Sequence, residues 1–178
     1  MQMLSSIDSV VDHITSKKYS LAETVLMNWI EQDSQARLPY WYYGLVLLLQ
    51  GQENEAQTTW ILAMSEGNPS EVELWTQELL DVLEQEAKRQ EQYDQHEQAW
   101  LLWQHIHFLC PDNAISWIQS FRLSLQLGEL DQISLSSKPW ANYLTSTHQL
   151  IDASQIFILL DLALSKFLLA PWVLDFAM

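Results

Sequence analysis

Few side chains in this 178-residue chain have the types and spacing that chemistry needs, and the histidines and the single cysteine come first: His13, His96, His105, His107, His148 and Cys110. His105 and His107 stand two apart, so on a helix they point in different directions and cannot share a metal ion. His107 and Cys110 are three apart and can face together, but a zinc site needs two more ligands, and Asp112 at the end of one helix does not complete the shell. The pattern predicts an interfacial histidine beside a buried thiol, with no metal and no cofactor. Glu53, Glu55 and Glu66 could serve as acids or bases, yet no histidine or basic group lies near them in sequence. A Gly-rich phosphate loop, a zinc-protease helix and a serine-nucleophile elbow are all missing, and Pro69 disqualifies Asn68-Pro69-Ser70 as a glycosylation acceptor. An active site would have to be assembled from residues distant in sequence, and the expectation is a chain that is not an enzyme.

Charge narrows the partners. With 23 acidic against 8 basic side chains the formal charge is -15, a field that repels DNA, RNA and anionic lipid headgroups. Between Leu38 and Ala87 there is no Lys or Arg, while Glu53, Glu55, Glu66, Glu71, Glu73, Glu78, Asp81, Glu84 and Glu86 all fall there. Such a stretch suits a basic partner or a basic neighbouring domain; a solvated, solubilising helix face is the plainer reading. One cysteine allows no internal disulfide, and residues 1–18 lack the basic start and apolar run of a signal peptide, so a cytoplasmic protein is expected.

The elements that must position these residues are helical. Only 4 Gly and 5 Pro interrupt the chain, and 9 Trp with 6 Tyr supply large packing surfaces. Apolar spacing predicts helices over residues 6–15, with a capping pair at Ser5 and Asp8, and over residues 18–32. Pro39 opens a third helix that Gly51 ends, and residues 53–64 form its return partner. Ser70 and Glu73 are read as the capping box of a long helix reaching towards Tyr93. Helices over residues 97–109 and 114–127 follow, the second capped by Asp112 or Asn113 and stopped by Gly128. Beyond it, Leu130, Ile133 and Leu135 suggest a short piece, Pro139 starts another through Trp140, Tyr143 and Leu144, and Asp152 with Gln155 precedes a helix over residues 156–170.

A repeat underlies this order. Ala22 and Ala56 stand 34 residues apart, with Leu26 answering Trp60 and Trp29 answering Ala63. The segment from Tyr40 to Pro69 resembles a tetratricopeptide repeat: Tyr40 and Tyr43 are the large residues, Gly44 the close-contact glycine, Leu47 follows, Gly51 is the turn, and Ala56, Trp60 and Ala63 are the small, aromatic and small positions of the second helix. Ala99, Trp103, Ile106 and Pro111 resemble another return helix, and Trp117 and Gly128 a further hairpin. Phe121 departs from the pattern by replacing the close-contact glycine, and Ala99 follows Ala56 by 43 residues, which lengthens the middle unit. The acidic, tryptophan-rich units are also similar to the repeat region preceding SPINDLY-like O-linked N-acetylglucosamine transferases, although no nucleotide-sugar motif is legible.

The resemblance implies an all-α fold of antiparallel helix pairs in a short right-handed superhelix, with about seven to nine helices over a single domain. Residues 1–128 hold the clearest repeats and 129–178 a helical cap. Its implied function is a protein- or peptide-binding module with a structural or accessory role. The alternatives are the non-catalytic N-terminal region of a glycosyltransferase and a small helical enzyme. Because the first helix of each hairpin commonly lines the concave face in this family, Leu38, Trp41, Leu45 and Leu48, and later Ile118, Arg122 and Gln126, are the implied binding residues. The broad apolar band from Ile156 to Leu169 predicts a cap on one face and a contact with a second subunit or a downstream domain on the other, while Asp161, Ser165, Lys166 and Pro171 argue against a membrane span.

Overall fold

A computed structural model describes the backbone of residues 2–128 and the side chains of residues 7–128. The expected elements around Leu130, Pro139 and Trp140, and the apolar helix over residues 156–170, lie outside the described residues, as does the side chain of Ser5. Among the described residues there are seven helices and no strand: α1 (Gln2–Thr15), α2 (Tyr19–Gln32), α3 (Leu38–Leu49), α4 (Glu53–Met64), α5 (Pro69–Gln92), α6 (His96–Leu109) and α7 (Ala114–Leu127). The chain divides into two compact units, Met1–Leu83 and Glu84–Met178, and α5 contributes its first part to one and its last part to the other.

In the first unit α1 packs on α2, α2 on α3 and α3 on α4. Each helix does so with small and large residues at helical spacing: Val10 and Ile14, Ala22 and Leu26, Leu45 and Leu48, then Ala56, Trp60 and Ala63, all buried. The approach of α3 and α4 is tight at Gly44. The Trp60 indole lies across it and donates from Nε1 to the carbonyl oxygen of Trp41 at 3.3 Å. Of the residues that carry the repeat resemblance in this hairpin, Gly44, Ala56, Trp60 and Ala63 are buried, whereas Tyr43 is only half-buried. The first part of α5 joins this unit through Arg37, whose guanidinium sits 4.5 Å from the Trp75 ring centroid, and through Trp41 Nε1, which donates to Glu78 at 3.4 Å. In the second unit α6 packs on α7, and Glu91 near the end of α5 ties both together, accepting from Trp103 Nε1 at 3.0 Å and pairing with the Arg122 guanidinium.

The α5 cap differs from the expected Ser70–Glu73 box. The cap lies two residues earlier, with Pro69 as the first helical residue, and the reciprocal pair is Asn68 and Glu71: the Glu71 amide donates to Asn68 Oδ1 at 3.1 Å and the Asn68 amide to Glu71 Oε2 at 2.9 Å. Proline at the first helical position loses no hydrogen bond there and presets the helical φ, which favours this frame over the one two residues later. Asn113 is the cap of α7, accepting from the Ser116 amide at 3.0 Å.

One turn recurs along the chain. Lys17, Gly51, Asp94 and Gly128 all have left-handed φ, at 54°, 79°, 57° and 79°, and follow one another by 34, 43 and 34 residues. The first three sit in the same hydrogen-bonded turn: the amides of Lys18, Gln52 and Gln95 reach back to the carbonyls of His13, Leu47 and Gln90 at 2.8, 3.0 and 2.8 Å. This is the six-to-one closure of a Schellman motif. Five residues beyond each turn stands a fully buried alanine, Ala22, Ala56 or Ala99. The spacing read from the alanines is thus matched by the backbone, although the turn residue is glycine in only one of those three cases.

Candidate ligand groove

The C-terminal half of α2, the N-terminal half of α3 and the C-terminal half of α4 enclose a groove of about 350 Å³ lined by Met27, Ile30, Glu31, Tyr40, Tyr43, Thr59 and Leu62. Helical spacing brings the residues together: Met27 with Ile30 and Glu31, Tyr40 with Tyr43, and Thr59 with Leu62 are each three or four apart and share a face. The walls are apolar and reach solvent, with Met27 48% and Leu62 65% exposed. Tyrosines suit such a rim because the ring supplies apolar area while the hydroxyl stays wet. Tyr40 donates its hydroxyl to the Ser34 carbonyl at 3.4 Å. Burial, and after it the Glu23 carboxylate, push the Tyr43 phenol above its ordinary pKa. Glu23 itself accepts from Gln50 Nε2 at 2.6 Å. Glu31 stands in the last turn of α2, which contains no basic side chain.

The residues implied by the family resemblance lie elsewhere. Trp41, Leu45 and Leu48 are fully buried, and Ile118 is buried as well. Burial removes these four from the surface open to a ligand. Leu38 is half-buried, Gln126 is exposed, and Arg122 is half-buried and engaged, donating from Nε to Gln119 at 2.8 Å and from Nη1 to Gln126 at 3.3 Å besides pairing with Glu91. The reason lies in α3, whose sequence from Leu38 to Leu49 contains no charged residue. With apolar surface all round, its Trp41–Leu45–Leu48 stripe goes into the core and its Tyr40–Tyr43 edge borders the groove. Sequence alone carried no signal for that edge, because α3 has no polar side to set against an apolar one.

The other chemistry-bearing residues are structural in their surroundings. The His107 ring packs on Trp117 with centroids 4.0 Å apart, and burial lowers its pKa. His105 Nδ1 is 3.1 Å from the Leu101 carbonyl, and the Cys110 thiol is free and half-buried. No group of three or more His, Cys, Asp or Glu among the described residues is placed to hold a metal ion. Of the acidic stretch, Glu53, Glu55, Glu66, Glu71, Glu73, Glu78 and Asp81 are exposed. Glu84 is half-buried and pairs with Lys88, and Glu86 is buried. Glu86 is 1% exposed, accepts from Gln90 Nε2 at 2.6 Å and pairs with Arg89, and burial raises its carboxyl pKa despite those partners.

The described residues form an all-α fold of seven helices, and no helix among them is long and apolar enough to cross a membrane. No protein-family model and no curated protein matches the chain.

Proposed function

We propose that the chain is a non-catalytic module that binds a protein or peptide, working in the cytoplasm and built from tetratricopeptide-like hairpins in a short right-handed superhelix. The observation that carries the binding role is the open apolar groove beside Tyr40 and Tyr43, where Met27 and Leu62 present large hydrophobic side chains to solvent. A cavity of this size is at the low end of the range of about 300–1,000 Å³ found for ligand sites, enough for the anchoring side chains of a peptide. The repeated left-handed turns at Lys17, Gly51 and Asp94, each with its buried alanine five residues on, support the repeat reading. In such arrays each hairpin buries its apolar face against its neighbours, which leaves grooves between successive helices for recognition.

The test is selection of peptide binders on the purified chain, followed by titration against Leu62→Ser. Leu62 is mostly exposed, so the substitution should change stability by no more than about 0.5 kcal/mol. Binding should weaken at least about tenfold, because an apolar anchor loses its contact surface. Binders that keep full affinity for the variant would place recognition elsewhere, and reproducible turnover by the isolated chain would reverse the non-catalytic reading.

A further inference from the structure

The chemistry of the partner can be read from the rim of the groove. The first unit, residues 1–83, holds twelve acidic and three basic side chains, a formal charge of -9. None of the three cations lines the groove. Lys17 and Lys18 precede α2, and Lys18 lies about 20 Å by helix rise from Glu31, while the Arg37 guanidinium stacks on Trp75. Glu31 stands at the C-terminal end of a helix whose last turn has no basic residue, so its charge and the negative end of the helix dipole have the same sign. The Glu23 carboxylate adds a third negative contribution beside Tyr43. Apolar walls next to this negative rim, with Tyr40 and Tyr43 in the lining, suit an apolar side chain followed by a cation that can also lie against an aromatic ring.

We propose that the groove takes a cationic amphipathic peptide segment, with an apolar side chain seated among Met27, Tyr43 and Leu62 and a Lys or Arg side chain at Glu31; this rests on the groove being the binding site. Nucleic acid, anionic lipid and a second copy of this chain, itself at -15, would each bring negative charge to the same rim. An acidic peptide would do likewise, and its apolar contacts would have to overcome the repulsion.

The experiment uses the full chain and two fluorescent amphipathic peptides with identical Leu and Phe positions, one carrying Lys and the other Glu at its polar positions. Anisotropy titrations are run against Glu31→Lys, Glu53→Lys and Leu62→Ser, with helical content checked by circular dichroism. Glu31→Lys keeps the fold, since a cation is favoured in the last turn of a helix. Glu53→Lys makes the same change in charge in the first turn of α4, nine residues and about 13 Å by helix rise from Leu62, beyond the screening length at physiological salt. The Lys peptide is expected to bind and the Glu peptide not to. Glu31→Lys should weaken the Lys peptide about tenfold, Glu53→Lys less than about twofold, and Leu62→Ser should abolish binding. Equal losses at positions 31 and 53, with Leu62→Ser still decisive, overturn the cationic-partner inference and leave the groove standing. Equal or tighter binding of the Glu peptide overturns it as well. Absence of any binding sensitive to Leu62→Ser removes the groove itself, and the inference with it.

Discussion

Gly44→Ala probes the packing on which the best-formed hairpin depends. A methyl group there would stand 2.5 Å from Trp60 Cε2 and 2.7 Å from Cδ1, and closer still to Nε1, well inside van der Waals contact. The indole is 2% exposed and cannot swing into solvent without giving up its burial and its hydrogen bond to the Trp41 carbonyl. Overpacking of this kind costs about 1–3 kcal/mol, and the lost hydrogen bond about 1 kcal/mol. Alanine is a better helix former than glycine, which returns about 1 kcal/mol. The balance is a loss of about 2 kcal/mol, or about 4–8 °C in Tm for a chain of this size. Urea unfolding followed by far-ultraviolet circular dichroism measures it. The same substitution in a Trp60→Leu background identifies the cause: with the indole gone the clash is gone, and Gly44→Ala should become neutral or stabilising by up to about 1 kcal/mol. A Gly44→Ala chain as stable as the parent, or a penalty of the same size in both backgrounds, would refute the packing argument.

Two further expectations concern backbone and charge. Asp94 adopts φ 57° at the turn before α6, where Gly51 and Gly128 hold φ 79° in turns of the same hand; Asp94→Gly should therefore raise stability by about 0.5–1 kcal/mol in a thermal melt, whereas Gly51→Ala should lower it by about 1 kcal/mol. A destabilised Asp94→Gly chain would contradict the strain assigned to that residue. Glu86 has a carboxyl pKa raised above its unfolded value by burial, so folding favours its protonated form and the folded chain loses that proton at a higher pH than the unfolded chain does. Its contribution is most favourable below the ordinary carboxylate range and declines as pH rises through the folded pKa. The stability of the parent minus that of Glu86→Gln, measured by urea unfolding from mildly acidic to neutral pH, should fall with rising pH, and a flat difference would show that burial does not govern this group.

Helix type and most boundaries were written in local signals that act within a turn or two. The predicted spans of α4 and α7 coincide with the observed Glu53–Met64 and Ala114–Leu127, because Gly51 and Gly128 stop the preceding turns and Asn113 caps within reach of its own amides. The 34-residue spacing of Ala22 and Ala56 was equally legible, since only small residues fit where helices pack closely. The turns at Lys17 and Asp94 were not, because neither residue advertises a left-handed conformation that the hairpin imposes on it. Nor could the sequence say which edge of α3 would stay open. Hydrophobic periodicity assigns an inside only when the other side is polar, and α3 is apolar throughout, so the choice between Trp41–Leu45–Leu48 and Tyr40–Tyr43 fell to the neighbouring helices. Glu86 follows the same logic: its sequence neighbourhood matches that of the exposed acids around it, and only the packing of helices decided that this one carboxylate would leave water.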